Sequence, residues 1–309
     1  MTGCGNSASS ENSGSQPQTD SGEVDLSDSM IEVPMYNKPA ESFILTPVAS
    51  GTTEYKNNKV TIDASNVSQG YVMILYSGSN PKIKVQIFKN KNLVYTYDLN
   101  ARGTYEVFPL SEGNGTYTVN VYENISGTKY SKAFGRSISV KLENEFLPFL
   151  YPNQYVNFKA DSAVVSKASE LCAGAKSDLE VVEKTYDWVV KNFTYDKKKA
   201  ATVKSGYLPN VDSILASKTG ICFDYASVMC SMLRSQNVPA KLVVGYTGDL
   251  YHAWINVYIE GMGWVKNMIF FDGEQWQRMD PTFASSGKES EAIMKYIGDN
   301  KNYQEKYAY

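Results

Sequence analysis

The pattern of apolar and polar residues divides the chain into three stretches. Residues 5–30 are rich in Ser, Gly, Asn, Gln, Asp and Glu, and so few apolar groups cannot offset the entropy cost of ordering. Between about residues 42 and 142, short apolar–polar alternations are separated by turn residues. After about residue 160, apolar residues recur at helical spacing. This order predicts a disordered spacer, a strand-rich region and then a region that begins with helices.

The strand-rich region is expected to fold as an antiparallel β-sandwich. In Gly115–Tyr122, the residues Tyr117, Val119 and Val121 alternate with polar ones, so one face should be buried and the other wet. About seven strands at this spacing favour a sandwich of immunoglobulin-like character. The region carries no chemical motif, which suits a spacer or a binding module. The predicted strands are 59–62, 71–76, 83–88, 93–97, 103–108, 115–122 and 137–142.

The third stretch reads as helices followed by an antiparallel sheet, which is an α+β pattern. Helices are predicted after Asp161 or Ser162, after Ser177, over about 212–216 and from Cys222 onward. Strands are predicted at 241–246, 251–260, 263–270 and 276–280. The expected organisation is a polar tail (1–41), a β-sandwich domain (42–145) and an α+β domain with helices packed on an antiparallel sheet (146–309).

Composition excludes several classes of function. A net charge of -3 is too small to suggest phosphate neutralisation, so a nucleic-acid partner is not expected. The chain contains a single histidine, which leaves no multi-histidine metal site, and neither zinc catalysis nor any cofactor is predicted. No apolar run reaches the roughly 20 residues of a membrane-spanning helix.

The cysteines do not resemble a disulfide framework. Cys172 and Cys230 each fall on an apolar helical face and are expected to be buried structural thiols. Cys222 and Cys230 would lie about 12 Å apart along one helix, beyond the roughly 7 Å limit for a disulfide. Cys222 differs because it follows Gly220 in the first turn of its helix, where the macrodipole favours a thiolate.

A histidine and an aspartate downstream complete a candidate thiol triad with Cys222. Strand parity places His252 on the face of its strand opposite Ala253 and Ile255, which suit a core. Asp280 ends the last predicted strand, directly before Pro281. If these two strands pair, His252 and Asp280 can be neighbours, with Cys222 within reach.

The region from about 160 to 284 resembles the transglutaminase-like superfamily, a branch of the papain-like cysteine-dependent fold. The resemblance rests on motifs in the family order, with the sole histidine in place. It implies that Cys222 is the nucleophile, His252 the base and Asp280 the orienting acid. The chain departs from simpler members in its long connection between His252 and Asp280. The matching motifs are Tyr186–Val190, Phe193–Asp196, Gly220–Ala226, Gly245–Tyr246, His252–Trp254 and Asp280–Thr282.

The N-terminus resembles the end of a bacterial lipobox. Small residues precede Cys4 in Met1-Thr2-Gly3-Cys4, which predicts lipidation of Cys4, and the polar residues after it suit a spacer. Together with the β-region and the catalytic motifs, this resembles surface lipoproteins of Gram-positive bacteria. The expected location is the extracellular face of the cytoplasmic membrane, with the lipid as the contact to the membrane.

The triad predicts attack on a carboxamide or peptide carbonyl to form a thioester, with peptide or protein substrates, cell-wall peptides among them. Water as acceptor would make the protein a peptidase or amidase, whereas a lysine amine would make it a transglutaminase. A third alternative is a non-catalytic binding or scaffold lipoprotein whose β-region provides the function. The backbone N–H of Cys222 is one expected oxyanion donor, and Tyr195 and Tyr207 compete among the candidates for the second.

Overall fold

A computed structural model describes residues 44–247, 250–271, 276–278 and 303–309. These residues lie in one compact unit. The predictions for the polar tail, for Cys4 and for Asp280 fall outside the described residues.

The strand-rich region consists of two four-stranded antiparallel sheets. Their strand orders are β1-β2-β3-β6 and β5-β4-β7-β8. The expected strands are present, preceded by the short β1, and the last two form a long hairpin. The strands are β1 (Glu54–Lys56), β2 (Val60–Asp63), β3 (Tyr71–Tyr76), β4 (Ile83–Lys89), β5 (Asn92–Asp98), β6 (Tyr105–Pro109), β7 (Gly115–Ser126) and β8 (Lys129–Val140).

The alternation read from the sequence decides which side of each strand is buried. Tyr117, Val119 and Val121 on β7 are fully buried, as the sequence predicts. They belong to one core with Ile62 and Ile74 from the other sheet. Two strand faces that each bury a row of apolar side chains stabilise one another only by packing together.

Five helices follow the β-region in the described part of the chain. Ser177 accepts a hydrogen bond from the backbone N–H of Glu180 at 3.2 Å, as its capping pattern predicts. The first helix is fixed differently, because the backbone N–H of Val164 donates to the carboxylate of Asp212 at 2.9 Å. The helices are α1 (Ala163–Cys172), α2 (Asp178–Asn192), α3 (Lys197–Thr202), α4 (Val211–Ser217) and α5 (Cys222–Ser235).

A five-stranded antiparallel sheet packs against α5. Its strand order is β14-β13-β12-β11-β15, and α5 packs against β11 and β12. Two further strands, β9 (Thr194–Tyr195) and β10 (Thr219–Gly220), form a short parallel pair. The strands of the large sheet are β11 (Ala240–Thr247), β12 (Leu250–Ile259), β13 (Gly263–Phe271), β14 (Trp276–Arg278) and β15 (Tyr303–Ala308).

Strand β15 is absent from the sequence prediction and ties the two regions together. It pairs with β11, and the carbonyl of Ala308 accepts hydrogen bonds from Tyr95 at 2.9 Å and Ser111 at 3.1 Å in the β-region. The buried guanidinium of Arg234, near the end of α5, donates to the carbonyl of Tyr309 at 2.6 Å. The helix that begins at Cys222 is therefore anchored at its far end.

No helix in the described ranges combines the length and apolar character needed to cross a membrane.

Candidate active site

Cys222 is the first residue of α5 and is partly buried. The short parallel pair of β9 and β10 fixes the backbone that leads into this cysteine, because Gly220 lies directly opposite Tyr195. The backbone N–H of Asp196 also donates to the carbonyl of Gly220 at 2.8 Å. The turn before the cysteine is thus held by its backbone, and Cys222 is less completely buried than most of the helix that follows it.

The carboxylate of Asp224 closes the first turn of α5. It accepts hydrogen bonds from the backbone N–H of Ile221 at 2.9 Å, from the ammonium of Lys199 at 2.5 Å and from the hydroxyl of Tyr207 at 2.6 Å. Asp224 is fully buried. A buried carboxylate needs such partners, since an unpaired one would carry a large desolvation cost.

The close packing of Asp224 against Gly220, two residues before the cysteine, requires a glycine at that position. A Cβ on Gly220 would be 2.6 Å from the Cβ of Asp224 and 2.9 Å from one of its carboxylate oxygens. No side chain fits there without moving the aspartate. The Gly-Ile-Cys-Phe-Asp spacing therefore has a packing reason, in addition to delivering the thiol to a helix end.

The thiol of Cys222 lies against β12. The backbone N–H of Ala253, the residue that follows His252, interacts with the sulfur and lowers its pKa. Burial acts more strongly in the opposite direction and raises the pKa of the Cys222 thiol to about 11. Burial and the backbone N–H groups thus act on the thiol in opposite directions, and burial has the larger effect.

His252 lies on β12 with 5% of its surface exposed. Its strand alternates as predicted, with Ala253 and Ile255 in the core beneath α5. The opposite face, however, is buried as well, since Trp254 is 1% and Asn256 3% exposed. Both faces of the strand are therefore covered, and His252 lies on the face opposite Ala253 and Ile255, as parity predicts.

β12, which carries His252, is not adjacent to β14, which ends at Arg278. β13 pairs with β12 on one side and with β14 on the other. Ile255 lies opposite Ile269, which lies opposite Arg278. The condition of direct pairing between these two strands is thus not met, because β13, itself predicted at 263–270, lies between β12 and β14. Asp280 itself lies outside the described residues.

The two tyrosines considered as oxyanion donors differ in their surroundings. Tyr207 gives its hydroxyl to Asp224 and receives a hydrogen bond from Lys199 at 2.8 Å, so it belongs to the support of α5. Tyr195 lies beside Gly220, and burial together with the charge of Cys222 raises its pKa to about 12. Its proximity to Cys222 makes Tyr195 the better candidate for contact with a reacting group.

Cys172 and Cys230 are buried, as the sequence predicts. Cys172 is 7% and Cys230 is 0% exposed.

Sequence reasoning missed the roles of Lys199 and Asp224. The signal for Asp224 was present, because an acidic residue three positions after the helix-capping residue is typical of a capping box. Nothing in the sequence pattern indicates Lys199, because its contact with Asp224 depends on how α3 folds back.

Comparison with known proteins assigns residues 165–281 to a family. This segment matches the model of the transglutaminase-like superfamily. The chain is 25% identical over 245 residues to the uncharacterized protein YebA of Bacillus subtilis, covering 69% of this chain and 30% of YebA. It is 28% identical over 129 residues to kyphoscoliosis peptidase of Mus musculus, covering 38% of this chain and 17% of that protein.

A third relative is a protein-glutamine gamma-glutamyltransferase of Pseudomonas aeruginosa, 30% identical over 96 residues, or 29% of this chain and 14% of that protein. The chain spans less than a third of the length of these curated relatives. Among solved structures, a candidate cysteine protease from Cytophaga hutchinsonii aligns with a TM-score of 0.39 at 15% identity, over 84% of this chain and 74% of that one. Red sea bream transglutaminase aligns with a TM-score of 0.28 at 14% identity, over 69% and 48% of the two chains.

Proposed function

Residues 165–281 belong to the transglutaminase-like superfamily, and on this premise we propose that the protein is a cysteine-dependent peptidase or amidase. Its nucleophile is Cys222, its base is His252, and its reaction passes through a thioester on peptide or carboxamide substrates. Asp280 is proposed as the acid that orients the histidine.

The observation that carries the proposal is the contact between the thiol of Cys222 and the backbone of β12 at Ala253. A cysteine at a helix start has many structural roles, but this one lies against the residue next to the single histidine of the chain. Cys172 and Cys230 are buried in helices and offer no comparable access. The contact supports a nucleophile and base that act together.

The proposed reaction begins with a protonated thiol, since burial raises the pKa of Cys222 to about 11. His252 accepts the thiol proton as the sulfur attacks the carbonyl carbon, which forms the carbon–sulfur bond and places negative charge on the carbonyl oxygen. The backbone N–H of Cys222 stabilises that oxygen, and Tyr195 supplies the second hydrogen bond. His252 then gives the proton to the departing amine, and the thioester remains.

Hydrolysis completes the cycle when water attacks the thioester, with His252 as base, and releases the carboxylic acid and the free thiol. The alternative acceptor is a lysine amine, which would make the protein a protein-glutamine transamidase. Similarity to the Pseudomonas aeruginosa gamma-glutamyltransferase favours keeping this second candidate. Incorporation of a labelled primary amine into a glutamine-bearing protein would support it, and hydrolysis without incorporation would exclude it.

We also propose that the catalytic region works at the cell surface, anchored through a lipid on Cys4 and separated from the membrane by the polar residues after it. The β-region then acts as a spacer or binding domain of immunoglobulin-like type. The strand order supports that type, because β3 lies between β2 and β6 while β4 and β7 are central in the other sheet. A non-catalytic scaffold role would instead predict that Cys222→Ala is harmless.

The experiment that tests the function exposes the full chain to wall peptides and secreted proteins and searches Cys222 for an acyl adduct by mass spectrometry. We expect an adduct on Cys222 whose mass identifies the donor. Cys222→Ala should abolish turnover, and Cys172→Ala should retain it after correction for folded protein. Equal labelling of Cys172 and Cys222, or turnover by Cys222→Ala, would contradict the proposal.

A further inference from the structure

The side chain of Lys199 is the only cation that the described hydrogen bonds place on the buried Asp224 carboxylate. The lysine comes from α3, a helix of two turns whose start is capped by Asp196, which accepts from the backbone N–H of Lys199 at 2.8 Å. Its ammonium donates to Asp224 at 2.5 Å and to the hydroxyl of Tyr207 at 2.8 Å. Charge-assisted contacts of this length are among the stronger hydrogen bonds in proteins.

The carboxylate of Asp224 has two opposing effects on Cys222. Its carboxylate holds the backbone N–H of Ile221 and so fixes the turn that presents Cys222. The same negative charge lies two residues from the thiol and raises the pKa of Cys222. A carboxylate without a counter-charge would therefore hold the nucleophile in place and at the same time disfavour its ionisation.

We propose that Lys199 is a positioning residue for Cys222: it locks the Asp224 carboxylate onto the turn before α5 and cancels its charge beside the thiol. The role rests on the proposed function, in which Cys222 is the nucleophile. Lys199 does not touch the substrate. Tyr207 assists it, since the phenol ring lies under the ammonium at 4.4 Å and its hydroxyl bridges Lys199 to Asp224.

Burial acts to lower the pKa of Lys199, but the hydrogen bonds to Asp224 and Tyr207 outweigh it and the net pKa is raised. The lysine is consequently charged throughout the pH range in which a cysteine nucleophile works. A partly exposed lysine, with 28% of its side chain accessible, can also be replaced with less risk of misfolding than a buried one.

The test compares full-length Lys199→Met, Lys199→Arg and Lys198→Met with the wild type. Lys198 lies next to Lys199 on the exposed side of α3 and serves as the matched control. The rate of Cys222 alkylation by iodoacetamide is measured from pH 7 to 10 by mass spectrometry. We expect Lys199→Met to slow alkylation about tenfold at a given pH, equivalent to one pKa unit. Lys199→Arg should recover most of the rate and Lys198→Met all of it.

A second readout does not depend on thiol chemistry. Hydrogen exchange over residues 219–225 reports whether Asp224 still holds the amide of Ile221. Lys199→Met should accelerate exchange there and leave β3 and β7 unchanged. Unaltered exchange in that segment, alkylation as fast as wild type, or equal effects from Lys198→Met would overturn the proposal. If exchange changes as expected while wild-type Cys222 reacts no faster than Cys172, the positioning role stands and the proposed catalytic function fails.

Discussion

Gly220 lies so close to Asp224 that a Cβ on the glycine would come within 2.6 Å of the Cβ of the aspartate. The contact joins the turn before the nucleophile to the first turn of its helix. The carboxylate is fixed by Lys199 and Tyr207 behind it, so it cannot retreat without breaking their hydrogen bonds. The relationship makes this glycine a sensitive point for both stability and activity.

Gly220→Ala is expected to destabilise the protein by about 1–3 kcal/mol, the usual cost of an added methyl group in a tightly packed place. Turnover per folded molecule should fall further, because the shift displaces the start of α5. Urea unfolding and a rate normalised to folded protein measure the two effects. Gly174→Ala is the control: that glycine has a φ of +73° and open space around it, so alanine costs stability without affecting the rate. Equal loss of rate in both variants would contradict this account.

The sequence predicts the individual helices and strands of the site better than it predicts which strands lie side by side. Alternation predicts β7 and β12 correctly, and the glycine–cysteine motif correctly begins a helix at Cys222. The pairing partner of β12 could not be read from parity alone. Strand β13, which the sequence predicts at 263–270, lies between β12 and β14. The alternation of apolar and polar residues shows which face of a strand a side chain lies on. It does not show which other strand pairs with that strand, because the pairing depends on long-range contacts.

The contribution of β15 also lay beyond the sequence reading. Tyr303, Tyr307 and Tyr309 share one parity in a short stretch, so a strand was readable in principle. Its partner and its role were not, because its pairing with β11 and its contact with Tyr95, which lies more than 200 residues away, are both long-range. Buried Arg234 is similar, since a charged residue on a helix gives no sign of which carbonyls it will meet.

Arg234→Met should be among the most destabilising substitutions in the described part of the chain. The guanidinium donates to the carbonyls of Tyr151 at 2.6 Å, Ala240 at 2.8 Å and Tyr309 at 2.6 Å. Methionine fills similar volume but removes the guanidinium donor from the carbonyls of Tyr151 and Ala240, at about 1–3 kcal/mol for each that water cannot reach. The carbonyl of Tyr309 keeps the backbone N–H of Leu242 at 3.0 Å as a donor. A loss of about 3 kcal/mol or more is expected in urea unfolding. Lys191→Met, at an exposed ion pair, should change stability by less than about 1 kcal/mol.

The pH dependence of Cys222 alkylation distinguishes a protonated resting thiol from a preformed ion pair with His252. Because burial raises the pKa of the thiol to about 11, the thiolate fraction should rise about tenfold for each pH unit between 7 and 10. Iodoacetamide labelling, followed by mass spectrometry, should therefore accelerate without a plateau below about pH 10. A plateau beginning near pH 6 would mean that the imidazolium form of His252 stabilises the thiolate in the free protein.

Tyr95 provides a test of stability at alkaline pH. Its hydroxyl lies within hydrogen-bond distance of a carboxylate oxygen of Glu112, at 2.6 Å, and of the carbonyl of Ala308, at 2.9 Å, and its single proton can be donated to either acceptor. Burial, with the charge of Glu112, raises the pKa of Tyr95 well above the ordinary value of 10. A folded-state pKa above the unfolded one gives stability that is complete below about pH 10 and is lost as pH rises further, because the unfolded state then releases its proton first. Tyr95→Phe should cost about 1–3 kcal/mol near pH 8 through the lost hydrogen bonds. Since phenylalanine does not titrate, the difference in unfolding free energy between wild type and variant should narrow between pH 9.5 and 11. Urea unfolding of both proteins at several pH values measures this difference in free energy. A difference that stays constant or widens as the pH rises would show that the protonated hydroxyl of Tyr95 does not link the β-region to β15.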